Sequence, residues 1–327
     1  RCCKDVATVR KNEYVNLPVI CLVGPTASGK SGLAVRVCRR LYVDEHPAEI
    51  INTDSMVVYR GMDIGTATPT LREQRTVVHH LVSILDVTVP SSLVLMQTLA
   101  RDAVEDCLSR GVIPVLVGGS ALYTKAIIDE MSIPPTDPEV RARWQEKLDA
   151  EGPRVLHDEL ARRDPKAAES ILPGNGRRIV RALEVIDLTG SFTATIPDGT
   201  LHWPKTVQMG LELSRKDIDQ RIADRVDQMW AYGFVDEVRS LANVGLREGL
   251  TASRALGYRQ VLEYLNGDYD EDEARRRTII GTRRFARKQL MWYRRDDRIE
   301  WFNALAPDLD DRVVARVLTA LTTDEED

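Results

Sequence analysis

Apolar and polar positions follow two rhythms along this chain, and the change between them divides it. Residues 19–23 and 112–117 are apolar without interruption, and 49–52, with Ile50 and Ile51 at its centre, reads as a short strand. Unbroken apolar runs of this length, bounded by glycine or polar turns, predict strands buried on both faces. Between them apolar residues return every three to four positions, as at Leu33, Ala34, Val37 and Leu41, which predicts a helix over 31–41. Further helices are expected over 95–109 and from 121 to about 129, with a loop over 60–69 and a short apolar segment at 81–85. Strand–helix alternation with apolar strands implies a doubly wound parallel α/β sheet. Ligands of such a sheet sit beyond the strand carboxyl ends.

From Pro134 the helical rhythm takes over. Asp137-Pro138 and Asp164-Pro165 each read as an N-cap followed by a first-turn proline, and a third helix is expected over 177–188. Residues 207–213 read as a strand returning to the sheet, followed by helices over 215–232, 235–243, 253–265 and 271–294. The expected organisation is an α/β core over 17–132 and 206–303, a helical insertion over 133–205, and loose termini at 1–16 and 304–327.

Hydrophobic content of 43% and charged content of 29% are those of a globular chain with a substantial core. Cys2, Cys3, Cys21, Cys38 and Cys107 show no metal-ligand spacing, and Cys21 and Cys38 sit within apolar patterns. These features, with no membrane-length apolar run and a polar first sixteen residues, predict a cytoplasmic protein. The net charge of −5 argues against a nucleic-acid partner, but the distribution does not. Of the 45 basic residues 36 are arginine, and nine basic residues and no acidic one lie between Arg275 and Arg295, with Phe285, Trp292 and Tyr293 among them. Arginines with interleaved aromatics suit phosphate forks and base stacking, or else a solvated helix face over a buried aromatic side.

The densest chemistry follows the first strand. Gly24-Pro25-Thr26-Ala27-Ser28-Gly29-Lys30-Ser31 fits the phosphate-loop pattern. Its glycines let backbone N–H groups curl around phosphate oxygens at a helix N-terminus, Lys30 adds a positive charge, and the Ser31 hydroxyl is a ligand for Mg2+. The strand over 112–117 ends in Gly118-Gly119-Ser120 rather than in the acid that holds Mg2+ in hydrolases, which weakens a hydrolase reading. Asp54 is the one acid well placed at that rim, as a proton acceptor or as the cap of the turn before Met56. Arg221 and Arg225, four apart on one helical face, suit a diphosphate or an RNA backbone, or surface pairing with Asp217, Asp219 and Asp224. His79-His80 has no third metal ligand at suitable spacing and is assigned to structure.

Taken together the motifs resemble the tRNA dimethylallyltransferases over about 18–301. The resemblance rests on the phosphate loop, Asn52-Thr53-Asp54-Ser55-Met56, Tyr59-Arg60-Gly61-Met62-Asp63-Ile64-Gly65-Thr66-Ala67 and His79-His80-Leu81. It continues through Val117-Gly118-Gly119-Ser120-Ala121-Leu122-Tyr123, Arg178-Ile179-Val180-Arg181-Ala182-Leu183-Glu184 and Leu256-Gly257-Tyr258-Arg259-Gln260. It implies a P-loop NTPase-like fold and transfer of a dimethylallyl group from its diphosphate to N6 of adenosine 37 in tRNA, by a monomer. It also implies Asp54 as general base, a channel hydroxyl at Ser120, and a diphosphate held by the loop with Mg2+ and Arg221. A flipped adenine would reach the channel. Asp54, Ser55, Met56, Val57, Gln97, Ser120, Arg141, Arg178, Ile179, Val180, Arg181 and Ala182 match tRNA-contacting positions, and Arg283, Arg284 and Arg287 would track phosphates. The block 90–97 lacks the aromatics relatives often carry, and Asn175-Gly176 replaces a more usual acidic partner. The rivals are a P-loop small-molecule or nucleotide kinase and a non-catalytic RNA-binding module with a nucleotide switch. Neither a kinase nor its closing arginines account for a basic, aromatic stretch without an acid over 275–295.

Overall fold

The computed structural model describes residues 17–192 and 199–322. Its core begins with strand β1 (Val19–Val23), helix α1 (Lys30–Val43), β2 (Ala48–Asn52), α2 (Leu71–Thr76), β3 (His79–His80), α3 (Leu93–Ser109), β4 (Ile113–Val117) and α4 (Ala121–Ile128). A helical segment follows with α5 (Pro138–Glu151), α6 (Pro153–Arg163), α7 (Pro165–Ser170) and α8 (Gly176–Thr189). The chain then returns through β5 (Thr206–Glu212), α9 (Arg215–Ala231), α10 (Phe234–Ala242), α11 (Tyr258–Leu265), α12 (Glu271–Tyr293), β6 (Ile299–Asn303) and α13 (Leu309–Thr322).

The six strands form one parallel sheet in the order β3-β2-β4-β1-β5-β6. β1 is buried throughout because its alternate residues feed two cores. Ile20 and Leu22 pack with α1 and α13, while Val19, Cys21 and Val23 pack with α3 and Tyr293. A further core joins the segment after β2 to α9, α10 and α11 around Tyr59, Met62, Phe234 and Tyr258.

Two compact units emerge, residues 1–129 with 201–327, and residues 130–200. The insertion thus begins slightly earlier than composition suggests. Within it Trp144, Leu156, Leu160, Ile179, Val180 and Leu183 form a separate core. Asp137 caps α5 and Asp164 caps α7, each accepting backbone N–H bonds, as the Asp-Pro pairs predict.

The carboxyl-terminal expectation needs correcting. Residues 304–327 were expected to be loose, yet 309–322 form α13, whose Leu309, Val313, Val314, Val317 and Ala320 are buried against the sheet. The physical reason is their three-to-four-residue spacing, an amphipathic stripe with an apolar partner in α1. β6 and α6 are likewise structured where no element was expected. The expectation for 1–16, and Cys2 and Cys3 with it, lies outside the described residues.

Candidate active site

The phosphate loop is shaped by what surrounds it. Gly24 has φ 137°. A Cβ there would lie 2.7 Å from the Leu211 carbonyl oxygen, so only glycine lets the loop leave β1 against the backbone of β5. Gly29, also left-handed, opens α1. Pro25, Thr26 and Ala27 form the crest, and Ser28 is buried beneath it. Lys30 is buried as well and turns back to donate to the Pro25 carbonyl at 2.7 Å and the Ser28 hydroxyl at 3.4 Å. Burial pushes its ammonium down to about 7, against the pull of Asp54. Ser31 lies exposed in the first turn of α1.

Asp54 stands at the same rim, beyond β2. Asn52 sets its backbone by donating to the Asp54 carbonyl at 2.9 Å and accepting its N–H at 3.0 Å. Oδ1 of Asp54 accepts the Met56 N–H at 2.8 Å, so the carboxylate both caps the turn and is oriented by it. Gly118 of the opposite turn has no room for a Cβ, which would fall 2.0 Å from the Thr53 hydroxyl. Ser120 sits at the N-cap of α4 without using its hydroxyl as a cap.

Of the two α9 arginines, Arg225 reaches deepest. It donates to the Thr26 hydroxyl at 3.2 Å and to the Thr66 carbonyl at 3.1 Å. Burial pushes its guanidinium below the ordinary value while Asp54 pulls it back up. Arg221 lies alongside, its Nη1 3.7 Å from where a Cβ on Gly29 would stand. Arg225 rather than Arg221 therefore bonds into the phosphate loop. The sequence spacing put both on one face but carried no signal of depth. The segment that supplies the Thr66 carbonyl is held by Glu237, which accepts the N–H groups of Asp63 at 3.1 Å, Ile64 at 2.7 Å and Gly65 at 3.3 Å. Gly65 is squeezed between Phe234 and Tyr258, each 2.4 Å from its missing Cβ. Sequence reading missed Glu237, and only the three-dimensional packing reveals it.

The profile of the IPP transferase family matches residues 57–296. The chain is 54% identical over 300 residues to the tRNA dimethylallyltransferase of Thermobifida fusca, covering 91% of this chain and 94% of that one. It is 55% identical over 292 residues to the one of Kineococcus radiotolerans, covering 88% and 92%. The chain belongs to the tRNA dimethylallyltransferase family. A full-length tRNA isopentenylpyrophosphate transferase from Bacillus halodurans is similar in structure, with a TM-score of 0.68, 36% identity, and 93% and 96% of the two chains covered. A eukaryotic dimethylallyltransferase structure, at 23% identity and a TM-score of 0.77 over 95% and 81%, shares the fold.

Against this dimethylallyltransferase frame, the residues expected to meet RNA separate by exposure. Ser55 and Met56 are half-buried beside Asp54, whereas Val57 is buried. Gln97 donates its amide to the Ala126 carbonyl at 2.5 Å. In the insertion, the side chains of Ile179, Val180 and Ala182 face inward into the local core as the apolar stripe of α8, so a contact from these positions would fall to the backbone. Arg141 and Arg181 both bind the fully buried Glu184 at 2.8 Å, while Arg178 is exposed. On α12, Arg283 donates to the Asp219 carbonyl at 3.0 Å and Arg287 lies 3.6 Å from the Asp219 carboxylate, leaving Arg284 exposed.

A second polar cluster lies off the rim. The Nε2 of His80 is 2.7 Å from Glu49, and the Cys107 sulfur lies 3.5 Å from the same carboxylate. These three could surround a metal, but Arg110 already holds both Glu49 oxygens at 2.8 and 2.6 Å. Those bonds drive the Glu49 carboxyl down to about 2, and burial with the nearby carboxylate pushes the Cys107 thiol up to about 12. A fixed guanidinium and a protonated thiol make this an ion-pair network. His80 thus finds its partners through the fold, on β2 and α3.

Proposed function

We propose that the chain transfers a dimethylallyl group from dimethylallyl diphosphate to N6 of adenosine 37 in a tRNA anticodon stem-loop, as a cytoplasmic monomer. The observation that carries this reading is the charge arrangement at the rim. Lys30 is buried and Arg225 half-buried, neither has a carboxylate within ion-pair distance among the described residues, and both feel the charge of Asp54. Buried cations without a counter-charge favour an anionic ligand. A carboxylate facing them suits a proton acceptor on the far side of the reacting carbon.

In the reaction the N6–carbon bond forms as the allylic carbon–oxygen bond breaks, and the electron pair of that bond leaves with diphosphate. Lys30, Arg225, Arg221 and the loop amides receive the charge that develops on the departing oxygens. Asp54 takes the proton released from N6. The donors on offer, the Ser31 hydroxyl and the Asp54 carboxylate at the rim, are hard oxygens of the kind Mg2+ prefers. Bound beside Ser31, Mg2+ would supply charge neutralisation of the diphosphate. Ser120 lines the path of the base, and the exposed Arg178 and Arg284 are placed for RNA phosphates.

Radiolabelled dimethylallyl diphosphate with Mg2+ and unmodified tRNA tests this directly, with γ-labelled ATP in a parallel tube. Label in tRNA supports the reading. Label moving from ATP to a small acceptor, with none from the allyl donor, would mean a kinase.

A further inference from the structure

The long basic helix α12 does more than present arginines. Its inner face carries Ala286, Gln289 and Tyr293, all buried, and Gln289 reaches into the rim. Its Oε1 accepts the backbone N–H of Thr26 at 2.8 Å, and its Nε2 donates to the Gly119 carbonyl at 2.7 Å. One neutral side chain therefore ties the crest of the phosphate loop to the glycine turn after β4. The partners fix the orientation of the amide, because a backbone N–H can only donate and a carbonyl can only accept. Gly119 is fitted to this contact, since a Cβ there would lie 2.4 Å from Nε2. One turn further on, the Tyr293 hydroxyl lies 3.4 Å from the Gly118 carbonyl.

Thr26 is consequently held on two sides, its amide by α12 and its hydroxyl by Arg225 on α9. Glutamine is the residue type that meets both requirements. Glutamate would set an acceptor against the Gly119 carbonyl and add a negative charge next to an anion site. A methionine of similar length would fill the space and make neither bond. We propose that Gln289 is a positioning residue for the donor diphosphate, bracing the phosphate loop from the helix whose outer face carries the basic and aromatic residues. The proposal rests on the reading that this loop holds the diphosphate.

The test is steady-state kinetics of Gln289→Glu and Gln289→Met in the full chain, varying dimethylallyl diphosphate and tRNA separately, with thermal melts alongside. For Gln289→Glu the KM for the donor should rise about tenfold or more, by the loss of the bond to the Gly119 carbonyl and the added repulsion, with the KM for tRNA within about twofold. Gln289→Met should give a smaller rise in the same constant with the KM for tRNA unchanged, and a modestly lowered melt from the two unpaired backbone groups. If Gln289→Glu does not fold, Gln289→Met alone decides, by whether the donor KM rises selectively. Unchanged donor KM, or donor and tRNA constants rising together with a lowered melt, would overturn the proposal. Lys30→Ala separates the two failures. If it raises the donor KM while the Gln289 variants do not, the brace is wrong and the loop reading stands. If it too leaves the donor KM unchanged, the loop reading itself is wrong.

Discussion

Arg221 and Arg225 of α9 resemble Arg141 and Arg181 of the insertion when read as letters: both pairs lie near acids and both suit a phosphate. In the folded chain they do opposite things. Arg141 and Arg181 converge on Glu184, which also accepts from the Thr136 hydroxyl at 2.6 Å and the Asp137 N–H at 3.0 Å. Burial alone would raise the Glu184 carboxyl, but these hydrogen bonds outweigh it and hold the group below its ordinary value. Arg225 has hydroxyl and carbonyl partners only, and shares its surroundings with Lys30. A closed network of charges organises a scaffold, whereas buried cations without a counter-charge leave an opening for an anion. The number of arginines says nothing of this; their pairing does.

The sharpest way to break the contrast is Glu184→Gln. Leaving two arginines against a buried uncharged amide should destabilise the insertion by about 3 kcal/mol, the usual scale for breaking a buried pair, measured by denaturant unfolding. The same network predicts an acid limb. Its stabilisation is present above the ordinary carboxylate value of 4.5 and is lost as pH falls through the depressed folded value, because the unfolded chain takes up the proton first. The acid limb of the variant should be shallower by that contribution, and a limb as steep in Glu184→Gln as in the wild type would refute the assignment.

At the rim, Asp54→Asn retains an acceptor for Met56 but cannot take a proton. Turnover should fall roughly a hundredfold or more with tRNA affinity kept; retained turnover would reduce Asp54 to a turn cap. Arg225→Gln should raise the donor KM by about tenfold, the scale of a lost charge-assisted hydrogen bond, without lowering the melt. A lowered melt with unchanged KM would put Arg225 in the same class as Arg141. The smallest effect belongs to the outer face of α12. Arg284→Ala should weaken all tRNA substrates alike and make the salt dependence shallower by about one unit of slope. Loss confined to one tRNA sequence would mean base reading instead.

How much of this was legible in the sequence follows the range of the interactions. The sheet, the loop and the Asp137 and Asp164 caps depend on near neighbours and periodicity, and the chain displays them openly. The contacts of Arg225, Gln289 and His80 depend on residues brought from far along the chain, and no local pattern marks them. Glu237 looks like an ordinary surface acid until Asp63, Ile64 and Gly65 are folded onto it. The inward face of α8 is legible in principle, since Ile179, Val180, Ala182 and Leu183 repeat at helical spacing. α13 is legible in the same way, its apolar stripe sitting beside a strongly acidic tail.

The brace between Gln289 and Thr26 spans 263 positions of sequence. During synthesis the phosphate loop leaves the ribosome well before the strand that backs Gly24 and the helix that holds Thr26. A growing chain therefore carries the recognisable loop through the synthesis of the next 263 residues without the contacts that shape it. Any product truncated before α12 would display the signature of a diphosphate site and lack its rigidity. Competence is thus acquired only once α12 has been made and folded back onto the loop.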